Sequence, residues 1–252
     1  MALPYYSFIS WKLGPLTIYS YGLFVAIAFL AGIFLAVKGA KKRKISTEQI
    51  YDLIFYIIIA SISGARIAYV IEYWHNFDSF IDVFKIWEGG LSFIGGLIGA
   101  LIVFYAYIKI KKLNFWRYAD LFTPAIVLGH AIGRIGCILG DGGHIGKLTS
   151  MPFGALVNGE ARHLTALYEF IFLALLFAFL IKAKDRKVFK KSKGLLFLAY
   201  LAAYSTGRFV IDLLRIDPRY FGLTMTQWLL TAIFLISGCL IIKKLRKWGL
   251  KE

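Results

Sequence analysis

The chain has 252 residues, of which 59% are hydrophobic and only 17% carry a charge. A soluble domain would have about a quarter of its residues charged, so this composition excludes a soluble enzyme, a disordered chain and a disulfide scaffold. An integral membrane protein remains. Its formal net charge of +16 then indicates orientation and contact with anionic lipid, not binding of nucleic acid.

A membrane-spanning helix needs about 20 mostly apolar residues. Seven stretches meet this requirement and predict an all-α integral membrane protein, with seven transmembrane helices in a single membrane domain over residues 1–252. In chain order, the predicted spans are 17–38, 51–71, 89–109, 119–139, 164–182, 194–213 and 223–243.

The basic residues predict the orientation of these spans. Of the 30 Lys and Arg residues, 21 fall in the connections after spans 1, 3 and 5 and in the C-terminal tail, whereas six fall on the opposite side. Cytoplasmic segments of membrane proteins carry an excess of Lys and Arg. The N-terminus is therefore predicted to lie outside and the C-terminus in the cytoplasm.

Three arginines lie inside predicted spans, where each costs a few kcal/mol to insert. Arg66, Arg134 and Arg208 all fall near outer span ends, and Glu169 and Tyr21 lie at a similar depth. The sequence therefore predicts a polar site just below the outer membrane surface.

Two other interpretations of these arginines stay open. Each guanidinium could reach the headgroups along its own side chain without meeting a ligand. Arg208 and Asp212, four residues apart, could also pair along one helix face that includes Tyr204.

Glycine is concentrated in two segments, 89–99 and 133–146. Close packing of membrane helices is enough to explain the first segment. The second interleaves glycine with Arg134, Asp141 and His144. Glycine-rich backbone beside a guanidinium suits a phosphate, which at this depth belongs to a phospholipid headgroup.

Several short motifs follow one another along the chain. In the first half these are YGL at 21–23, GARIAYV at 64–70 and WEGGLSFIGGLIGA at 87–100. In the second half they are GRIGCILGDGGHIG at 133–146, RHLTALYE at 162–169, YSTGRF at 204–209 with Asp212 and Arg215, and LTMTQ at 223–227. A single motif is weak, but the ordered set is specific and resembles that of the prolipoprotein diacylglyceryl transferase family.

The resemblance implies a multi-pass enzyme of the cytoplasmic (plasma) membrane that acts at its extracytoplasmic face. Its substrates would be phosphatidylglycerol and lipoprotein precursors, and the diacylglyceryl group would pass to the thiol of the lipobox cysteine, releasing glycerol 1-phosphate. The resemblance implies no cofactor and no metal. Membrane lipids are the other expected partners, and nucleic acid is not expected.

The resemblance also suggests roles for individual residues. Arg134 and Arg208 are expected to bind the phosphate and stabilise the leaving group, because fixed positive charge there stabilises the charge that develops on it. The expected substrate-binding residues are Tyr21, Arg66, Gly95, Gly96, Asp141, Glu169 and Tyr204.

One departure from the family concerns the proton acceptor. The family's SFHGG histidine is Ile94 in this chain. His163 and His144 are the predicted catalytic bases, and His163 is favoured because it lies in the segment similar to the family's RHPTQLYE. His130, one turn before Arg134, lies on the same helix face. Alternatively no base is needed, since clustered guanidinium charge lowers a thiol's pKa.

Two other functions stay open at this stage. Ile94 favours a diverged family member that binds phospholipid without turning it over. A lipid transporter would also use an arginine cluster, but transporters usually place polar groups near the bilayer midplane. The inner halves of the predicted spans contain almost no ionisable residues, which argues against a transport path.

Overall fold

The structure is a computed structural model that describes residues 3–5, 8–14, 16–140, 145–151 and 154–249. Among these residues, seven helices are long and apolar enough to cross a membrane, which confirms the predicted number of spans. They are α1 (Ser20–Lys42), α2 (Thr47–Glu72), α3 (Phe93–Ile110), α4 (Phe115–Gly140), α5 (Thr165–Ala183), α7 (Leu195–Asp212) and α8 (Met225–Gly249), and a short α6 (Lys187–Lys191) precedes α7.

Short strands occupy the ends of several connections, where the sequence predicts only loops. The first predicted span begins three residues too early, because 17–19 belong to a strand and not to α1. Hydropathy alone cannot separate an apolar strand from the helix that follows it. The strands are β1 (Leu3–Pro4), β2 (Ser10–Leu13), β3 (Leu16–Tyr19), β4 (Ile145–Leu148), β5 (Ala155–Val157), β6 (Glu160–Leu164), β7 (Arg219–Tyr220) and β8 (Leu223–Thr224).

The strands of the described residues form three small sheets. The largest has the order β1-β5-β6-β4, with β1 parallel to β5 and the other pairs antiparallel. β2 pairs with β3, and β7 with β8, in antiparallel hairpins. The strand β6 leads directly into α5 at Thr165, and β8 leads directly into α8 at Met225. The strands therefore fix where two of the membrane helices begin.

The chain forms two compact units, Met1–Ala36 with Trp116–Glu252, and Val37–Phe115. The core of the first unit lies where α4, α5 and α7 meet. Its buried side chains are Val127, Ala131, Leu173, Leu176, Leu180, Ala183, Leu196 and Tyr200. Burial of these apolar side chains holds the three helices together along their middle turns.

One end of this first unit is fixed by a buried carboxylate. Asp120 is 4% exposed, and its oxygens accept hydrogen bonds from the backbone N–H groups of Gly194 (2.5 Å) and Phe197 (2.9 Å). These are N–H groups at the start of α7 that have no partner within the helix, so Asp120 caps it. The starts of α4 and α7 thus meet at one end, and the polar site lies toward the opposite ends of both helices.

The second unit is built on the contact between α2 and α3. A Cβ added at Gly64, Gly95 or Gly99 would lie 2.6 Å or less from an atom of the facing helix, which is closer than a carbon side chain tolerates. The glycines therefore allow the two backbones to approach closely, as small residues do in membrane helix pairs.

Candidate functional site

A buried carboxylate, Glu169 on α5, is the centre of the candidate site. Its side chain is 1% exposed and contacts two guanidinium groups. Arg134 Nη2 on α4 lies 3.1 Å from Oε1, and Arg208 Nη1 on α7 lies 2.9 Å from Oε2. A buried charge needs such partners, because an unpaired ion inside an apolar bundle is strongly unfavourable.

Two further side chains meet the same carboxylate oxygen. The Tyr204 hydroxyl donates to Oε1 at 3.3 Å, and His130 Nε2 lies 3.4 Å from the same atom. The rings of His130 and Tyr204 pack with their centroids 5.3 Å apart. We call the five residues Arg134, Glu169, Arg208, Tyr204 and His130 the arginine–glutamate cluster.

Helix periodicity explains why the sequence gathers these groups. His130 and Arg134 are four residues apart on α4, and Tyr204 and Arg208 are four apart on α7, so each pair shares one helix face. The buried core one to two turns away fixes the rotation of both helices. Glu169, in the second turn of α5, then faces both pairs.

Arg208 is also held from its other side. Its Nη2 lies 3.2 Å from Oδ1 of Asp212, a fully buried carboxylate whose Oδ2 accepts a hydrogen bond from the Thr224 hydroxyl. Gln227 completes the arrangement, since its Oε1 accepts from the Thr224 N–H at 3.0 Å and its Nε2 donates to the carbonyl of Phe209. The start of α8 thus fixes the guanidinium of Arg208.

Arg134 has donor capacity that the described residues leave unused. Its Nε is buried and has no hydrogen-bond partner among them, and its Nη1 reaches only Cys137 Sγ at 3.8 Å. Beside it, a Cβ added at Gly133 would meet no described heavy atom within 4 Å. An unpaired buried N–H next to open space is costly on its own, by about 1–3 kcal/mol, and suits an anionic ligand.

The prediction of a shared polar site agrees with this geometry for four residues. The structure brings together Arg134, Arg208, Glu169 and Tyr204. Both guanidinium groups contact buried carboxylates, which differs from the interpretation in which each arginine only extends toward the lipid headgroups. Arg208 also pairs with Asp212 along the helix, as the other interpretation expected, because its guanidinium contacts both carboxylates.

The sequence places His130 on the same helix face as Arg134 but gives it no role in the site. Its spacing of four residues from Arg134 is the signal that points to the site.

Tyr21 lies at the start of α1, close to the end of α4. A Cβ added at Gly140 would lie 2.9 Å from the Tyr21 backbone nitrogen, so the absence of a side chain there allows the two helices to meet. The Tyr21 side chain is 46% exposed. Asp141 and His144 lie outside the described residues.

His163 has a different environment from the one predicted for a catalytic base. It lies in β6, is 8% exposed, and its Nδ1 is 3.1 Å from the Tyr168 hydroxyl. None of its contacts is with the arginine–glutamate cluster among the described residues. The structure therefore gives His163 a local partner within the strand-to-helix junction.

Arg66 uses its guanidinium to bind backbone within the second unit. It donates to the carbonyls of Val83 (2.7 Å), Gly89 (2.8 Å), Gly90 (3.0 Å) and Asp82 (2.6 Å). These four bonds use most of its five N–H groups. The geometry favours a clamp on the connection between α2 and α3 over the predicted contact with substrate.

Gly95 and Gly96, the other predicted substrate contacts of this unit, are buried against α2. A Cβ added at Gly95 would lie 2.3 Å from the Ala68 Cβ, and one at Gly96 would lie 3.2 Å from the Ser61 carbonyl oxygen. Close packing of two helices thus explains why glycine occupies both positions, and no contact with a phosphate is needed to explain them.

Seven apolar helices and a buried ionised cluster define a multi-pass membrane protein with a site for a charged group. The sequence model of the prolipoprotein diacylglyceryl transferase family matches residues 8–243. The chain belongs to this family and is an enzyme of the transferase class, which confirms the resemblance seen in the sequence.

Relatives with this transferase name are similar to the chain over most of its length. It is 36% identical over 225 residues to the phosphatidylglycerol–prolipoprotein diacylglyceryl transferase of Nostoc sp., covering 84% of this chain and 79% of that protein. It is 33% identical over 246 residues to phosphatidylglycerol–prolipoprotein diacylglyceryl transferase 1 of Clostridium perfringens, covering 93% and 92%. The enzyme of the same name from Halalkalibacterium halodurans is 33% identical over 245 residues, covering 92% and 83%.

Proposed function

We propose that this protein transfers the diacylglyceryl group of phosphatidylglycerol to the lipobox cysteine thiol of lipoprotein precursors. The observation that carries the proposal is the pair of guanidinium groups, Arg134 and Arg208, held on one buried carboxylate, while the Arg134 Nε has no partner among the described residues. The names of the relatives supply the substrate class.

The chemistry requires a stabilised phosphate leaving group. The thiol sulfur attacks the glycerol carbon that bears the phosphate ester, a carbon–sulfur bond forms, and the carbon–oxygen bond to phosphate breaks. The departing glycerol 1-phosphate takes the bonding electron pair and gains negative charge on its phosphate. Positioned guanidinium groups stabilise this charge best in the transition state, which is the condition for catalysis.

Glu169 and Asp212 have a positioning role in this proposal. A guanidinium in an apolar bundle needs a fixed partner, and each carboxylate supplies one without blocking every N–H group of its arginine. The phosphate would then meet donors that are already oriented, so little reorganisation is needed when charge develops.

We further propose that the reaction takes place at the extracytoplasmic face of the cytoplasmic membrane. The concentration of Lys and Arg in alternate connections supports this orientation. A cysteine introduced at Lys187, in the exposed connection between α5 and α7, should not react with a membrane-impermeant thiol reagent in intact cells, but should react after lysis. A cysteine at exposed Lys147 is the matched control and should react in both. The reverse pattern would contradict the orientation.

The direct test is turnover by the purified protein. Incubation with phosphatidylglycerol and a lipobox peptide should give an S-diacylglyceryl peptide by mass spectrometry, together with glycerol 1-phosphate. Ile94, in place of the family histidine, favours one alternative, a phospholipid-binding protein without activity. Retention of phosphatidylglycerol without product would establish that alternative instead.

A further inference from the structure

The histidine that the fold brings to the arginine–glutamate cluster is His130. Its Nε2 lies 3.4 Å from Glu169 Oε1 and 3.4 Å from Arg134 Nη2. Its side chain is 26% exposed, against 18% for Arg134, 11% for Arg208 and 1% for Glu169. An imidazole in this position is held by the site and can still be reached from outside it.

The partners of Nε2 decide which ring nitrogen is basic. Glu169 is flanked by two guanidinium groups, which favour its ionised form, and an ionised carboxylate only accepts hydrogen bonds. Arg134 Nη2 can only donate to Nε2, whereas Glu169 Oε1 can only accept from it, so the two contacts require opposite tautomers of His130. In the tautomer with the proton on Nε2, facing Glu169 Oε1, the lone pair is on Nδ1, for which the described residues offer no hydrogen-bond partner.

This arrangement has the features of a carboxylate–imidazole pair that acts as a base. In such pairs the carboxylate fixes the tautomer and orientation of the ring and stabilises the imidazolium that forms when the other nitrogen takes a proton. Glu169 would do both for His130, and the neighbouring ring of Tyr204, tilted by 56° with its centroid 5.3 Å away, limits rotation of the imidazole.

Space for a reacting group lies beside the same helix face. Gly133 is three residues after His130 and directly precedes Arg134, and a Cβ built on it would meet no described heavy atom within 4 Å. One face of α4 thus has an imidazole at His130, open space at Gly133 and a guanidinium at Arg134, at neighbouring positions.

We propose that His130 is the general base of the transfer reaction and occupies the functional place of the histidine that Ile94 replaces. Nδ1 accepts the thiol proton as the sulfur attacks the glycerol carbon, the carbon–oxygen bond breaks, and the leaving phosphate takes the electron pair. The imidazolium then returns its proton to the departing phosphate or to water. This inference rests on the proposed function and names the residue that activates its nucleophile.

The charged and titratable groups around His130 come from three helices. The positive groups are Arg134 on α4 and Arg208 on α7, and the negative group is Glu169 on α5. Tyr204 packs on the ring from α7, and Tyr200 packs on Tyr204 one turn away. Charges of both signs therefore face the ring, as a group that gains and loses a proton in each cycle requires.

The test compares His130→Gln with wild type. Glutamine can donate an amide N–H to Glu169 as His130 does, but it cannot take up a proton. The expected result is a fall in kcat/KM of about 10²–10⁴-fold, because that is the usual contribution of a general base. Imidazole groups titrate between about pH 5 and 8, so the wild-type rate should rise with pH in this range and the variant should lose the rise.

Two other histidine variants make the comparison specific. His75→Gln changes an exposed histidine in the short turn Trp74–Asn76 and should retain the wild-type rate and pH profile. His163→Gln tests the rival base, and loss of the rise with pH in this variant alone would overturn the proposal. Retention of phosphatidylglycerol by each purified variant shows whether it still folds and binds lipid.

The outcomes separate this inference from the proposed function. Product from wild type with an unchanged rate and pH profile in His130→Gln would overturn His130 as the base and leave the transfer function standing. Absence of product from wild type would overturn the function itself. If His130→Gln and His130→Asn both lose lipid retention together with turnover, His130 has a binding role and the proposal is wrong.

Discussion

Two regions of this molecule look alike in sequence and are used in opposite ways. Each combines glycines with an arginine near the C-terminal end of a predicted span. In the second unit Gly95 and Gly99 pack directly against the facing helix, and Arg66 donates to four backbone carbonyls. In the first unit Gly133 borders open space, and Arg134 is paired with a carboxylate while its Nε has no described partner.

The difference shows what makes a buried arginine available for binding. Carbonyl groups of a fixed loop consume donors and give stability, whereas a single shared carboxylate orients a guanidinium and leaves donors for a ligand. Helix position and residue type are the same in both regions. The partners decide the role, and the following variants are designed to separate the two roles.

The largest effect is expected from the paired arginines. Arg134→Lys or Arg208→Lys should lower kcat/KM by about 10²–10³-fold, because an ammonium cannot reproduce the planar set of donors that meets carboxylate and phosphate together. Both variants should still insert, since the positive charge beside Glu169 is kept. Near-normal turnover by both would mean that these arginines have only a structural role.

Arg66→Lys should mainly lower stability. A lysine cannot serve four carbonyls that surround a guanidinium, and loss of two bonds from a charged donor costs about 3 kcal/mol. We expect a lower thermal midpoint of the purified protein with a kcat close to that of wild type. A fall in kcat without a change in the thermal midpoint would instead support the predicted contact of Arg66 with substrate.

The glycines of the two regions should respond differently to the same change. Gly99→Ala places a Cβ 2.3 Å from the Ala60 carbonyl oxygen and should destabilise by about 1–3 kcal/mol. Gly133→Ala enters open space and should be neutral or stabilising by up to about 1 kcal/mol. The larger Gly133→Leu should raise KM for phosphatidylglycerol. Equal destabilisation by the two alanine variants would contradict the contrast between the regions.

Among the side chains that hold the two site arginines, the smallest loss of activity is expected at Thr224, which acts on Arg208 through Asp212. Thr224→Val removes the hydroxyl that Asp212 accepts from, and kcat/KM should fall about tenfold, the equivalent of one weakened buried hydrogen bond. Thr224→Ser keeps the hydroxyl and should restore most of the activity. No difference between the two variants would show that Asp212 is positioned without Thr224.

Some features followed from short-range patterns in the sequence. Runs of apolar residues predicted all seven spans, because a helix that crosses a bilayer must satisfy its backbone internally and expose apolar side chains to lipid. The cost of an arginine in such a helix marked Arg66, Arg134 and Arg208 as candidates for a polar site, and the spacing of the last two from His130 and Tyr204 followed from the helix period.

Other features depended on contacts between distant segments. The sequence could not separate Arg66 from Arg134, because the carbonyls that bind Arg66 lie 16 to 24 residues further along the chain. It favoured His163 over His144 as the base and gave His130 no role in the site, because a motif carries no information on which residues face each other across three helices. The capping of α7 by Asp120, 74 residues earlier in the chain, likewise had no local signal.

By itself, the sequence determined the class of protein, the number of spans, the family and the presence of a polar site, since these depend on composition, hydropathy and ordered motifs. Only the tertiary structure decided which charged groups share that site and which serve the fold. The physical reason is that a charge in an apolar bundle takes its role from its nearest partners, and packing of α4, α5 and α7 places Glu169 between Arg134 and Arg208.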